Sequence, residues 1–223
     1  MTTHSTFLKD SQTGEREPAE IHDALRLDEL YDAEAVWASA RVRVRQSVQG
    51  AGLTSGVPQS HRWDWSKKAG VLSDSRLSPL GDARLIGIRC RDEWQGLVWC
   101  ETCDIQGGEH TTRLGKPGRN LVYVPFIETA PWNWDIPASG DDKASVQSRA
   151  FRGIGMQLLL QAVLWSEQLE FKGRVALHSL PQSEEFYRHA CGMTDLGNDS
   201  AEYQRLRYFE FTEEQANSFM GGK

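Results

Sequence analysis

Residues 151–180, which read FRGIGMQLLLQAVLWSEQLEFKGRVALHSL, decide the fold. Between residues 153 and 169, apolar side chains fall on nearly every side of a helix, which predicts a helix buried against a sheet. A Lys-Gly pair ends this helix, and the segment 174–180 is typical of a strand. Another apolar stretch, 120–128, precedes the helix and also reads as a strand. Strand, helix and strand of these lengths form a βαβ unit, so the two strands are expected to run parallel.

The elements around this unit predict an α/β (α+β) fold with a mixed central sheet. Apolar residues step by three and four from about residue 28 until Gly50, which predicts an N-terminal helix. Three strands with short connections favour an antiparallel meander. Thr212 and Gln215 form a capping-box pattern that opens a last short helix. The meander strands are predicted near 83–90, 96–103 and 120–128. A short helix is predicted at 181–191 and a hairpin at 193–197 and 203–211. The stretch 50–82 is expected to be mostly irregular, with room for a short helix.

Length and composition indicate one globular domain. The chain has 223 residues, of which 39% are hydrophobic and 25% are charged. Residues 1–20 carry few large apolar side chains and are expected to form a disordered tail, which leaves 21–223 as a single domain. No run approaches 18 apolar residues and no signal-peptide pattern opens the chain, so a cytoplasmic protein without a membrane span is expected. The net charge of −6 argues against a nucleic-acid partner.

The segment Arg149-Ala-Phe-Arg-Gly-Ile-Gly-Met156 is a candidate phosphate site. It lies where a strand and loop enter the buried helix, so free backbone N–H groups and the helix dipole favour an anion there. Arg149 and Arg152 add charged donors. The alternative is that Gly153 and Gly155 only allow the helix to pack closely on the sheet.

A zinc site is weighed at Cys100 and Cys103, with Cys90 and His110 nearby in the sequence. Residues three apart on a strand point to opposite faces, so the two cysteines do not chelate one ion without a tight turn. Buried free thiols are the better interpretation, and no metal is expected.

Two further residues are candidates for acid–base chemistry. Glu128 ends a predicted strand on its apolar face, where a carboxyl group with a raised pKa serves as a general base. The alternative, slightly favoured, is that the strand has already reached solvent and Glu128 is exposed. Tyr187 is either ordinary packing in the short helix or a phenol aimed into a cleft as a proton donor.

Trp132 and Trp134 form either an aromatic wall for a ligand or a loop held by its own side chains.

Taken together, the order of elements resembles the GCN5-related N-acetyltransferase (GNAT) superfamily over roughly residues 25–212. FRGIGMQLLLQAV (151–163) and SEEFYRHACGM (183–193) carry the resemblance. FIETAPWNW (126–134) together with GRVALHSLPQSEEFY (173–187) is similar to a group of bacterial members without an assigned substrate. The resemblance implies that the central sheet is splayed between strands 120–128 and 174–180.

The same resemblance implies a site for acetyl-CoA as co-substrate. The pyrophosphate would rest on N–H groups of the glycine-rich turn, and the pantetheine arm would pair with the splayed strand. Tyr187 would protonate the leaving thiolate, and Glu128 would deprotonate the acceptor amine. The expected cofactor contacts are Phe126, Ile127, Arg149, Arg152, Gly153, Ile154, Gly155 and Met156, with Trp132 and Trp134 facing the acceptor.

The expected function is therefore transfer of an acetyl group to an amine by direct attack in a ternary complex. The acceptor is a small molecule or a peptide, and the oligomeric state, a homodimer included, is left open by the sequence. The alternative is a non-catalytic acyl-CoA sensor on the same fold.

Overall fold

A computed structural model describes residues 2–53, 57–74, 82–116, 118–137 and 145–222. Within these residues the structure contains four α-helices and eleven strands. The helices α1–α4 span Leu27–Gly50, Trp65–Asp74, Ile154–Gln168 and Glu213–Gly221. The strands β1–β11 span Thr2–Asp10, Arg16–Asp23, Ala83–Cys90, Glu93–Glu101, Val122–Thr129, Ile136–Pro137, Ser145–Gln147, Phe151–Arg152, Val175–Ser179, Thr194–Asn198 and Arg207–Glu210.

Nine of these strands form one mixed sheet in the order β10-β11-β9-β5-β4-β3-β2-β1-β8, and β6 pairs with β7 separately. The α/β fold with a mixed central sheet is therefore confirmed. Strands β5 and β9 run parallel, as the βαβ pattern predicts, through three pairs that end at Val124 and Leu177. The next residue of β5 is Pro125, which has no N–H to donate, and this explains why the two strands part there.

The chain divides into two compact units. The first comprises Met1–Asp74, Leu85–Leu97 and Glu128–Gly155, and the second comprises Ser75–Arg84, Val98–Ile127 and Met156–Lys223. The expectation that residues 21–223 form one acyltransferase domain stays a prediction.

Helix α1 supplies the core of the first unit. Its buried residues recur at helical spacing, as the sequence predicts, and they include Trp37, whose indole N–H donates to the Trp94 carbonyl at 3.1 Å. A small apolar cluster near the end of the helix joins it to the loop after β5. Its buried members are Val44, Val48, Trp134 and Ile136.

The core of the second unit surrounds helix α3. Leu158, Leu159, Ala162, Val163 and Trp165 are all buried, which explains the nearly continuous apolar sequence. The final hairpin (β10 and β11) is present, and the capping box at Thr212 opens α4 with both of its hydrogen bonds in place. The predicted short helix is instead a 3-10 turn at Pro181–Ser183 followed by a π-helical turn at Phe186–Ala190.

The predicted disordered tail at residues 1–20 is wrong. Residues Thr2–Asp10 and Arg16–Asp23 pair as an antiparallel hairpin, and β2 continues into the sheet through β3. The apolar residues that anchor the hairpin, Leu8, Ala19 and Ile21, are buried. A strand with one solvent-facing side needs an apolar residue only at alternate positions, so a low count of large side chains did not exclude it.

The stretch 50–82 is more ordered than a mostly irregular segment. It contains a 3-10 turn at Gln59–Arg62 and the ten-residue helix α2, which packs against α1. Residues 54–56 and 75–81 lie outside the described part of the chain. None of the described helices is long and apolar enough to span a bilayer.

Candidate functional site

The glycine-rich turn has the geometry of an open helix start. Strand β8 ends at Arg152, Gly153 has a φ of +88°, and α3 begins at Ile154. A left-handed φ is easily adopted by glycine alone, and, its chain neighbours aside, no heavy atom of the described residues lies within 4 Å of where a Cβ would stand. The first N–H groups of α3 therefore follow an uncrowded turn, with the positive end of the helix dipole beside them.

Two neighbouring segments fix the residues just before this turn. The N–H of Phe151 donates to Asn133 Oδ1 at 2.9 Å, and the N–H of Ala150 donates to the Trp132 carbonyl at 3.0 Å. On the other side, the N–H of Ser11 donates to the Ala150 carbonyl at 2.9 Å. The loop after β5 and the N-terminal hairpin thus hold the strand that leads into α3.

Positive charge collects at the same place. Lys9 of β1 lies directly opposite Arg152 of β8 in the antiparallel ladder. Both side chains are exposed, and neither forms an ion pair with any residue that the structure describes. Like charges directly opposite each other are destabilising in a sheet, so an anion bound here would relieve an existing repulsion. Arg149 differs, because it pairs with Asp135 at 2.9 Å.

Glu128 is buried, so the slightly favoured alternative of an exposed residue is wrong. Its Oε2 accepts a hydrogen bond from the Trp65 indole N–H at 2.8 Å and one from Arg41 Nη2 at 3.3 Å. Its Oε1 is buried without a hydrogen-bond partner among the described residues. Burial disfavours the charged carboxylate and raises the pKa of Glu128 to about 7, although Arg41, Trp65 and Lys68 all lower it.

A cluster of five side chains, which we call the Glu128 cluster, lies inside the first unit: Glu34, Arg41, Trp65, Lys68 and Glu128. Arg41 joins the two carboxylates, since its Nη1 lies 2.6 Å from Glu34 Oε1. Helix α2 contributes the Trp65 backbone N–H, which donates to Glu34 Oε2 at 3.0 Å. Burial lowers the pKa of the Lys68 ammonium to about 8, against the raising effect of Glu128 and Asp64.

Of the Glu128 cluster, only Glu128 itself is a candidate from the sequence. Arg41 and Glu34 occupy positions on α1, seven residues apart, and Arg41 lies among the apolar residues on the helix's buried face. An arginine on the apolar face of a predicted helix could have indicated this cluster from the sequence, because a buried charge needs a buried partner of opposite charge.

Tyr187 lies in the π-helical turn and is buried in the second unit. Its ring centroid is 5.2 Å from that of Phe186 and 5.8 Å from that of Phe209. Burial raises the pKa of Tyr187 above its ordinary value, so the phenol remains protonated at neutral pH. Its predicted position beside a thioester sulfur stays a prediction.

The two tryptophans of the loop after β5 hold that loop in place. Trp134 is buried in the apolar cluster of α1, and its indole N–H donates to the Thr129 carbonyl at 3.2 Å. Trp132 is half-buried and donates to Gln95 Oε1 at 2.8 Å. For Trp134 the structure therefore favours the alternative of a loop held by its own side chains, and the acceptor contact of Trp132 stays a prediction.

The remaining predicted cofactor contacts lie on β5 and α3. Phe126 and Ile127 are half-buried, and the Phe126 ring centroid is 5.6 Å from that of Trp99. Ile154 is buried, so only its main chain is available to a ligand. Met156 is half-buried and borders a cavity of about 430 Å³ that Cys191 and Phe219 also line.

The cysteines are free thiols, with Cys90, Cys100 and Cys191 buried and Cys103 half-buried. Across the described ranges, no group of three or more His, Cys, Asp or Glu side chains is arranged to hold a metal ion.

Comparisons with known proteins place the fold. No family model and no curated protein matches the sequence. Among solved structures, the GNAT domain of S. lividans PAT is similar at 11% identity with a TM-score of 0.50, over 94% of this chain and 96% of that chain. The PaiA N-acetyltransferase of Thermoplasma acidophilum, solved with coenzyme A, is 16% identical with a TM-score of 0.45, over 86% and 97% of the two chains. An N-acetyltransferase of Staphylococcus aureus Mu50 is 10% identical with a TM-score of 0.46, over 87% and 98%. Because the first of these alignments spans nearly all of both chains, this chain has the fold of the GCN5-related N-acetyltransferases.

Proposed function

We propose that this chain is an N-acetyltransferase that transfers the acetyl group of acetyl-CoA to an amine by direct attack in a ternary complex. The observation that carries the proposal is Glu128, a buried carboxyl group with a pKa raised to about 7 near the end of β5, in a chain with the GNAT fold. A carboxyl group that titrates near neutrality is suited to remove a proton from an amine at physiological pH.

The glycine-rich turn is the proposed binding site for the coenzyme A pyrophosphate. The donors would be the N–H groups of residues 152–156, and Arg152 would supply charge from the end of β8. Three observations support this assignment: the left-handed Gly153, the space that the described residues leave open beside it, and the Lys9 and Arg152 cations, which form no ion pair within the described ranges. Arg149 contributes less in this proposal, because Asp135 already neutralises it.

The pantetheine arm is proposed to pair with β5 near Phe126 and Ile127. The ladder between β5 and β9 ends at Val124 and Leu177, so the main chain beyond Pro125 is not engaged by β9. A main-chain N–H near residue 127 or 128 would stabilise the developing oxyanion of the thioester.

Glu128 would act as the general base. Its Oε1 carries lone pairs that no described side chain uses, whereas Oε2 is held by Trp65 and Arg41. At pH 7 about half of a carboxyl population with this pKa is ionised. Both the carboxylate, which accepts a proton, and the neutral acid are therefore populated.

Tyr187 would donate a hydrogen bond to the departing sulfur. A thiol has a pKa of about 8.5, below that of a buried phenol, so complete proton transfer from Tyr187 to the thiolate would be unfavourable. The proposed role is therefore stabilisation of the thiolate by a protonated donor. The acceptor is proposed to be a small-molecule or peptide amine.

The test compares two near-isosteric variants, Glu128→Gln and Tyr187→Phe, with Glu202→Gln as a control at an exposed site. Coenzyme A binding is measured by calorimetry, and release of free thiol is measured against a panel of amines. We expect both variants to bind coenzyme A as the wild type does, and each to lose at least tenfold in kcat/KM, about 1.4 kcal/mol of transition-state stabilisation. Unchanged turnover in the double variant would reject both roles.

A second candidate, a non-catalytic acyl-CoA sensor, is favoured by one observation. Glu128 is only 3% exposed, and Trp65 and Arg41 occupy its Oε2. A carboxylate closed in this way suits a structural role. Tight coenzyme A binding without thiol release for any amine of the panel would establish the sensor and remove the enzyme.

A further inference from the structure

One face of the N-terminal hairpin carries three cations in a row beside the glycine-rich turn. Lys9 of β1 lies directly opposite Arg16 of β2 on one side and directly opposite Arg152 of β8 on the other. Residues that face each other in a sheet project from the same side of it, and neighbouring strands are about 4.8 Å apart. Arg152 immediately precedes Gly153. The three residues Arg16, Lys9 and Arg152, which we call the cation row, therefore extend from the turn across three strands.

The cation row has no counter-charge among the residues that the structure describes. All three residues are exposed, and none forms an ion pair with a described residue. The Arg16 guanidinium carbon lies 4.4 Å from the ring centroid of Phe7, two positions before Lys9 on the same face. Like charges that face each other across strands are destabilising, so the three charges lower stability until an anion binds between them.

The opposite face of the same hairpin is already neutralised. Arg91 Nη2 lies 2.9 Å from an Asp10 oxygen and 2.7 Å from a Glu17 oxygen. Each of these carboxylates directly follows a residue of the cation row in the sequence, and neighbours along a strand alternate between the two faces. Asp10 and Glu17 therefore pair with Arg91 on their own face, and the charge of the cation row is left for an external anion.

We propose that the cation row binds the ribose phosphomonoester of coenzyme A, so that the N-terminal hairpin selects the fully phosphorylated coenzyme. This inference rests on the proposed function, which places the diphosphate of the same ligand at the turn around Gly153. In coenzyme A the phosphomonoester is one ribose ring away from the diphosphate. The cation row stands in the matching place, because Arg152 belongs to it and also enters the turn.

The charge of this phosphate suits the cation row. A phosphomonoester has a second pKa of about 6, so at pH 7 it carries a charge of about −1.5 to −2 and three acceptor oxygens. Each phosphorus of a diphosphate diester carries a single negative charge, which main-chain N–H groups at a helix start can hold. Guanidinium groups bind phosphate oxygens in pairs, and an ammonium adds a compact charge. Two arginines flanking one lysine therefore match the more highly charged group.

The test measures, by calorimetry with the full chain, the binding of coenzyme A and of dephospho-coenzyme A, which lacks only this phosphate. We expect the wild type to bind coenzyme A more tightly by about tenfold or more. Lys9→Gln and Arg16→Gln should each reduce that preference by about threefold or more, and should change the affinity for dephospho-coenzyme A by less than about twofold. A retained affinity for the shorter ligand also shows that these variants are folded.

Lys67→Gln is the matched control, because it removes the same charge from a side chain on α2 that is 84% exposed. Its preference for coenzyme A should equal that of the wild type. An equally large loss of preference in Lys67→Gln would trace the effect to net charge and would overturn the inference.

Two further outcomes would overturn the inference and leave the proposed function standing. One is equal affinity of the wild type for the two ligands, and the other is an equal loss for both ligands in Lys9→Gln. If the wild type binds neither ligand, the inference and the proposed function are both overturned.

Discussion

Gly153 and Gly173 both have left-handed backbone angles, with φ of +88° and +70°, but their surroundings differ. Apart from its chain neighbours, a Cβ at Gly153 would meet no described residue within 4 Å, whereas one at Gly173 would lie 2.6 Å from the Ala216 Cβ. The same substitution therefore tests backbone strain alone at one position and backbone strain with a steric clash at the other.

We expect Gly153→Ala to lower the free energy of unfolding by roughly 1 kcal/mol, the cost of a left-handed angle for alanine. Gly173→Ala should lower it by about 2–4 kcal/mol, because overpacking adds to that cost. Urea denaturation gives both values, and calorimetry should show weaker coenzyme A binding for Gly153→Ala only. Equal destabilisation by the two variants would contradict the contact at Ala216.

The glycine-rich turn and the Glu128 carboxyl group are candidates from the sequence, but the neighbours of that carboxyl group are not. Glycines before an apolar helix indicate the turn from local sequence alone. Glu128 is indicated in the same way, because it shares one face of a strand with Val122 and Val124. Trp65 and Lys68 gave no such signal, because Trp65 reaches Glu128 across 63 positions of sequence. Burial of Glu128 likewise depends on a helix, α2, that lay within a stretch expected to be mostly irregular.

At the scale of elements, the N-terminal hairpin is part of the sheet rather than an appendage. Leu8 is 1% exposed, while its neighbour Phe7 is 47% exposed and contacts the Arg16 guanidinium on the opposite face. We expect Leu8→Ala to lower the free energy of unfolding by about 2–4 kcal/mol and Phe7→Ala by less than about 1 kcal/mol. Thermal or urea unfolding of both variants checks this. Two equally small effects would mean that the hairpin does not pack on the sheet and that residues 1–20 are disordered.

The elements that were predicted well are those with a strong local period. Helices α1 and α3 and the capping box of α4 each follow from apolar spacing or a short motif. Strands β1 and β2 did not, because Thr, His, Lys and Glu occupy their exposed positions and few apolar residues remain. The π-helical turn at Phe186–Ala190 was also missed, because the sequence predicts one short helix over 181–191.

At the scale of the whole molecule, Glu128 makes stability depend on pH. Its folded-state pKa of about 7 lies above the ordinary value of 4.5, so the folded protein binds more protons than the unfolded chain between these two values. The stabilisation that the folded state gains from protonated Glu128 is fully present below about pH 4.5 and is lost as the pH rises through 7. Its slope is at most about 1.4 kcal/mol per pH unit.

The comparison of wild type with Glu128→Gln isolates this contribution from all other titrations. The difference between their free energies of unfolding should change in favour of the variant as the pH rises from 4.5 to 7, and should level off above about 8. Denaturant titrations at five pH values give the curve. A difference that is flat across this interval would mean that Glu128 titrates as an ordinary exposed carboxyl group.

The order of the elements along the chain was sufficient to predict the sheet class and the parallel pairing of β5 with β9. It did not determine how the sheet ends, because the pairing of β1 with β8 joins residues 9–10 to residues 151–152. Such a contact depends on the assembled sheet and has no counterpart in local periodicity.

Because Trp65 donates a hydrogen bond to Glu128, the fluorescence of this tryptophan is expected to report the charge of that carboxyl group. Indole emission responds to a charge that forms or disappears within a few ångströms, and here the charge is that of the proposed base. Light emitted by this one ring, isolated by subtracting the spectrum of Trp65→Phe, therefore follows the ionisation of the carboxyl group in solution without any label.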